Sequence, residues 1–355
     1  MNPLEKELFL WGVIGIGCLF SYTNGFQDGS SVAAAPIASR SLVAWRAVVL
    51  TAICEFLGAL LGGSGVANAI SGISTYPRGE SFLVVLAVAL SAAVSWNFLT
   101  RLLRVPSSST HALVGGLIGA IFGAAGNFQY INWGEFGYLL HPTGVCKVLV
   151  TLFMSPLIGF MAGFFCLKLL YFVFARASSR VSKVVKRMQW LVLPILAFGH
   201  GANDTQKVMG LIVLCLASGG VECGLGVNGQ LSIPLWVRLL VGAAMTLGVV
   251  AMAPGIVKRV GAGIYRQRPV HAFVSEFASA IVVTVGSITG GPVSASQVIA
   301  STVMGVGYAQ RRKGVHWLVA KDMLMAWFLT IPSAGALAYL FTYWLRLLGY
   351  IHGAS

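Results

Sequence analysis

Two polar runs interrupt long apolar stretches at matching places in this chain, Asn24-Gly-Phe-Gln-Asp28 and His200-Gly-Ala-Asn-Asp204. Each ends in an Asp that hydropathy places inside a membrane-spanning segment. An acid there costs roughly 2.5–3.5 kcal/mol on insertion scales, so it is a functional-site hypothesis by default. A second matched pair follows in the same order, Pro106-Ser-Ser-Ser-Thr-His111 and Pro292-Val-Ser-Ala-Ser-Gln297. The two Asp residues are 176 positions apart and the two prolines 186. A nearly constant offset of this kind reads as internal duplication with a short insertion in the second copy.

Composition puts the chain in a bilayer. It is 57% hydrophobic and 10% charged, with a mean hydropathy of +0.83, well outside the range of soluble domains. About ten apolar stretches are visible, each near the roughly 20 residues a span requires. They lie near 8–26, 44–63, 82–100, 112–125, 148–174, 189–217, 236–256, 271–288, 293–308 and 316–348. The last contains Pro332 and reads either as one kinked span or as two. The first follows an acidic leader (Glu5, Lys6, Glu7) and runs into the Asn24–Asp28 motif, unlike a cleaved signal.

The net charge of +14 is a topology signal and not a nucleic-acid footprint. With strict alternation, loops 176–188, 257–269 and 309–315 fall on one side and are rich in Lys and Arg. Loops 65–81, 126–146 and 219–235 fall on the other and hold only Arg78. Positive residues mark the cytoplasmic face, so both termini are expected outside a multi-pass cytoplasmic (inner) membrane. The six cysteines show neither a disulfide framework nor metal-ligand spacing.

Five stretches per half is an odd number, so the second copy enters the membrane from the opposite side. The expected fold is an all-α polytopic membrane protein of about 10–12 segments, built as two inverted-topology repeats. The first repeat covers 1–174, a short basic cytoplasmic linker 175–188, and the second repeat 189–355. Two short helices joined at each Pro-Ser/Thr tip read as a re-entrant hairpin, and inverted symmetry brings the tips together. Backbone of that kind survives at membrane depth only when buried in protein or lining a wet cavity.

The helix N-terminus after each tip presents unpaired N–H groups and partial positive charge. Ser107, Ser108, Ser109 and Thr110 add hydroxyls in the first copy, Ser294 and Ser296 in the second. Several short donors converging from two directions suit an oxyanion, although Pro-Ser-Ser alone is also an ordinary helix cap. Asp28 and Asp204 repel an anion and instead suit a cation, sodium or a proton, with Asn24, Gln27 and Asn203 as neutral oxygen ligands. Gly25, Gly199 and Gly201 are placed to let the helices unwind around that ion. Lys207, one turn beyond Asp204, either neutralises it or reaches the anion, with Gln206 as a further donor. Glu55 and Glu276 precede their tips by 51 and 16 residues, so they sit on non-equivalent helices. Each either completes a cation site, carries a proton or ties helices together. His111 reads equally as an anion contact or a hydrogen-bonded interior histidine, and Asn97 as packing glue.

At these residues the chain resembles the inorganic phosphate transporter (PiT) family. The resemblance is carried by Asn24 to Asp28, Glu55-Phe-Leu-Gly-Ala, Pro106 to His111, Gly199-His-Gly-Ala-Asn-Asp-Thr-Gln-Lys-Val-Met-Gly210, Glu276-Phe-Ala-Ser-Ala and Gly291-Pro-Val-Ser. It implies symport of phosphate with H+ or Na+, with no other cofactor and no enzymatic activity. It also implies cation and phosphate roles for Asp28, Asp204, Asn203, Gln206 and the tips, and a transport role for Glu55 and Glu276. Gln27, Ser31 and Gln297 depart from the family pattern and leave open sulfate or another oxyanion as substrate. An anion channel is a further alternative, disfavoured by the two Asp residues. The expected partners are phosphate, the coupling cation and the bilayer, with a homodimer as an open option and no nucleic acid.

Overall fold

A computed structural model describes residues 2–103, 107–137, 141–174, 180–221, 231–252 and 257–349. Pro106, Cys223 and the linker residues 175–179 lie outside them. Apolar runs bounded by Pro, Gly and capping residues fold as helices almost throughout. The order is α1 (Pro3–Asn24), a wide π turn (Gly25–Gly29), α2 (Ser30–Val32), α3 (Ala34–Ala38), α4 (Ala44–Leu61), α5 (Gly65–Ser71), α6 (Glu80–Leu102) and α7 (Ser109–Ala125). There follow α8 (Gly144–Val173), α9 (Arg180–Gly219), α10 (Leu235–Ala251), α11 (Pro269–Ile288), α12 (Ala295–Gln310) and α13 (Trp317–Leu347). Two-residue strands β1 (Phe136–Gly137) and β2 (His141–Pro142) pair in the loop before α8.

Among the described residues six helical stretches are long and apolar enough to cross a bilayer. The fold is therefore that of an all-helical membrane protein. Helix α9 is the longest, at 40 residues, and it carries the polar Asn203–Lys207 run through its middle. The stretch with Pro332 is one continuous helix, α13.

The tip-flanking helices differ from the two short arms expected. The first arms, α6 with 23 residues and α11 with 20, are long enough to span. Only the second arms are short, α7 with 17 residues and α12 with 16. No Pro or Gly breaks α6 before Leu102, and in α11 Pro269 stands at the first helical position, so each first arm runs on to Leu102 or Ile288.

Helices pack in reciprocal pairs. Helix α7 lies along α13 while α12 lies along α8, and α4 lies along α9 while α10 lies along α1. Small residues permit the close approaches. A Cβ on Gly115 or Gly119 would overlap the carbonyl of Ile331 or Gly335, and one on Gly163 would overlap that of Thr302. Without a hydrophobic drive between helices in lipid, such backbone proximity is what holds spans together.

The loops gather at two ends. Ser74 bridges Ile131, and Leu231 N donates to Asn68 Oδ1 at 2.8 Å, tying three cation-poor loops together. At the far end of α8, Tyr171 meets His271 of α11 at 3.3 Å, and His316 N donates to Ile264 O at 2.9 Å, bringing the end of loop 309–315 beside loop 257–269.

Candidate functional site

The polar motifs converge on a buried cluster between α1, α9 and the N-termini of α7 and α12. In α9 a period near 3.6 puts His200, Asn203, Asp204 and Lys207 on one face. All four are buried, as are Asn24 and Asp28 at the end of α1. Asn24 Nδ2 donates to Asp204 Oδ2 at 3.0 Å. Asp28, His200 and Asp204 each offer a ligand atom within 4.8 Å of the others.

Both tips reach this cluster. Ser109 Oγ lies 2.6 Å from Asp28 Oδ2 and 3.0 Å from Asn24 Oδ1, one hydroxyl shared by two acceptors. Ser296 of the second tip also hydrogen-bonds Asp28. Ser108 Oγ donates to Ser294 Oγ at 2.8 Å, so the tips touch. Ser108 is at the same time the N-cap of α7, accepting from His111 N at 3.3 Å. Ser107 sits one position outside and pairs with Thr100 at 2.8 Å.

Lys207 lies where the two tips and α9 meet. Its Nζ donates to Asp204 Oδ1 at 2.6 Å, Thr110 Oγ1 at 2.7 Å and Val293 O at 2.7 Å. An ammonium has three donors, and here each meets a protein acceptor. The ion pair with Asp204, one turn away, is thus direct, and the same ammonium holds a hydroxyl of one tip and a carbonyl of the other.

Several candidates lie elsewhere. Gln27 turns to α6, donating to Asn97 O at 2.9 Å, and does not join the Asp cluster. Gln206 turns to α5: its Nε2 donates to Ala202 O at 2.6 Å and its Oε1 accepts from Val66 N at 3.0 Å. Asn203 Nδ2 donates to Gly291 O at 3.0 Å, behind the second tip, while its Oδ1 is buried without a partner among the described residues. Glu276, on α11, is buried with neither carboxyl oxygen paired among the described residues. His111 Nδ1 lies 2.8 Å from Ser108 Oγ and 3.3 Å from Gln297 Nε2, an interior histidine sealed beneath the tips. Asn97 Nδ2 donates to Thr23 Oγ1 at 3.2 Å, tying α6 to α1.

The glycines also act differently from expectation. Only Gly25 opens a wide π turn; Gly199 and Gly201 stay inside an unbroken α9. A Cβ on Gly201 would overlap the Glu55 carbonyl, and one on Gly25 that of Met245. Gly199 and Gly201 thus bring helices close instead of unwinding them, while Gly25 does both.

His200 was not singled out from sequence. Its Nδ1 lies 2.8 Å from Glu55 Oε1 and its Nε2 lies 3.4 Å from Asp204 Oδ2, so it bridges two acids. The signal available was its i, i+4 spacing to Asp204. Glu55 is thereby joined to the cluster through α4, with its second oxygen unpaired among the described residues. Cys18, Cys54, Cys146, Cys166 and Cys215 are free thiols.

Comparison with known proteins gives the same direction. A protein of Bacillus subtilis (strain 168), described as a probable low-affinity inorganic phosphate transporter, is 33% identical over 326 residues, covering 90% of this chain and 93% of that one. One of Rhizobium meliloti (strain 1021) with the same description is 31% identical, covering 93% and 95%. A solved structure described as the sodium-dependent phosphate transporter shares the fold, with a TM-score of 0.82, 24% identity and coverage of 96% and 99%. The family and these relatives are transporters and not enzymes. The model of the phosphate transporter family matches residues 24–338, from the first polar motif into α13, and the chain belongs to that family.

Proposed function

We propose that this protein is a symporter that takes up inorganic phosphate across the cytoplasmic membrane on a cation gradient. The observation that carries the reading is the Ser109 hydroxyl, 2.6 Å from Asp28 and on the tip whose next residue, Thr110, holds Lys207. Groups suited to an anion and groups suited to a cation thus share hydrogen bonds. Filling one set changes the other, which is what coupling of affinities requires.

In this reading phosphate lies at the N-termini of α7 and α12, against Ser108, Ser109, Thr110, Ser294 and Ser296, where helix dipoles favour an anion. Entry replaces the Ser108–Ser294 bond, and Lys207 turns part of its charge to the anion. The cation lies among Asp28, Asp204, Asn24 and Asn203, whose Oδ1, unpaired among the described residues, is a hard oxygen ligand. Asp28, Asp204 and Glu55 are three acids against two bases, Lys207 and the His200 that bridges Glu55 and Asp204, a cluster that suits one added cation or proton. Sodium is the first candidate, supported by the description of the structural neighbour. A coupled proton is the second, favoured by Glu276 with both oxygens unpaired among the described residues. Phosphate is favoured over sulfate by the descriptions of the relatives from Bacillus subtilis and Rhizobium meliloti.

The reciprocal helix pairs support two inverted repeats, 1–174 and 189–355, and contact between the tips supports re-entrant hairpins. The grouping of basic loops at one end supports an outside location for both termini. The test is uptake of radiolabelled phosphate into proteoliposomes, with sodium and proton gradients imposed separately and sulfate as competitor. Accumulation under one gradient and weak competition by sulfate are expected. Equilibration without accumulation under either gradient would reduce the protein to a channel.

A further inference from the structure

An apolar groove of about 320 Å³ runs down the outer face of the α7–α13 pair. Its floor is backbone, at Gly115, Gly119 and Gly335, and its walls are Phe122, Pro332 and Tyr339. In a bilayer such a groove faces acyl chains. The α13 side of the groove, Pro332, Gly335 and Tyr339, repeats at helical spacing, and the same stripe continues to Tyr343 and Arg346. Tyr343 and Trp344 are exposed there, the level at which amphipathic aromatics mark the membrane interface. Arg346 is exposed, and its Nη1 donates at 3.3 Å to the carbonyl of Gly123 of α7, the residue after Phe122 of the groove wall. That is one of five N–H donors in a planar fork suited to phosphate.

We propose that this groove is a binding site for one anionic phospholipid, its acyl chain on the glycine floor and its headgroup phosphate on Arg346. The apolar floor alone would accept a helix of a second copy equally well. The cation set in line with the groove at the interface level selects a lipid. Because α7 begins at Ser109, beside the Asp28 cluster, the bound lipid braces the helix that carries the first tip.

The test is native mass spectrometry of the purified protein titrated with phosphatidylglycerol or with phosphatidylcholine of the same chain length. One phosphatidylglycerol is expected to be retained in preference to phosphatidylcholine. Arg346→Gln should reduce that preference about fivefold, the worth of one cation near an anionic headgroup. Ala336→Trp, at an exposed lining position, should fill the groove and abolish retention of both lipids. Equal retention of the two lipids by the unmodified protein would overturn the proposal, as would unchanged phosphatidylglycerol retention in both variants. Loss of a dimer in Ala336→Trp with lipid retention intact would assign the groove to a second copy and overturn it as well.

Discussion

Ser108 and Ser294, 186 residues apart in sequence, meet through a 2.8 Å hydrogen bond between their hydroxyls. His111 and Gln297 meet with the same separation of 186, at 3.3 Å. Two matched positions of the two tips therefore contact their own counterparts, as residues beside a local two-fold axis do. Replacing both serines by Ala removes one donor from each side of the space proposed for phosphate. The half-saturation constant for phosphate should rise about tenfold, two neutral hydrogen bonds at roughly 0.5–1.5 kcal/mol each. The maximal rate should change little. Initial-rate uptake in proteoliposomes decides it, and an unchanged half-saturation constant would remove the tips from the binding site.

Asp28→Asn and Asp204→Asn should both abolish cation-driven accumulation, yet they should differ in stability. Asp204 is paired with the buried Lys207, and breaking such a pair from one side costs about 3–5 kcal/mol. Asp28 has hydroxyl partners and no ammonium among its hydrogen bonds. Thermal unfolding in detergent should therefore show a lowered Tm for Asp204→Asn and a nearly unchanged one for Asp28→Asn. Adding Lys207→Met to Asp204→Asn should recover part of the lost Tm without recovering transport. Equal Tm values for the two single variants would contradict the pairing.

His200→Ala should leave Glu55 buried with neither oxygen paired among the described residues and take one orienting partner from Asp204. Loss of an outer partner typically costs about 10–100-fold in the affinity of the ion it helps to hold. The cation concentration for half-maximal uptake is the readout, and it should rise with phosphate affinity less affected. A variant with normal cation dependence would make His200 packing alone.

Gly201→Ala should be costly and Gly12→Ala harmless, although both sit inside helices. A Cβ at 201 meets the Glu55 backbone, whereas one at 12 meets nothing within 4 Å. Overpacking of this kind costs about 1–3 kcal/mol, while Gly to Ala on an open helix face gains up to about 1 kcal/mol. Expression level and Tm of the two variants separate them.

The sequence showed which residues are polar in an apolar setting, and those motifs do assemble. Asn24, Asp28, Asn203, Asp204, Lys207 and the two tips were legible because spacing along a chain survives folding. Direction was not. Gln206 stands two residues after Asp204, about 200° around an α-helix, so an unbroken α9 turns it to α5. The expectation of an unwound helix at Gly199 and Gly201 concealed that. Gln27 was misplaced because the wide turn at Gly25–Gly29 shifts the register behind Asn24. His200 was passed over because its partner Glu55 lies 145 residues away on α4, a contact that one sequence does not reveal. A missing Cβ serves flexibility and proximity alike, and sequence alone does not separate the close approach at Gly201 from the wide turn at Gly25.

Pro194 sits inside α9, six residues before His200. Proline has no N–H, so the carbonyl of Trp190 lacks its intrahelical donor and the rod is weakest there. Helix α9 is about 60 Å long, twice the hydrocarbon thickness, and its first turns carry Arg180, Lys183, Lys186 and Arg187. His200, Asn203, Asp204 and Lys207 all lie on the far side of that joint. Bending at Pro194 would carry those four side chains together relative to the first turns of the helix, so one imino acid lies between the site and the basic end of α9.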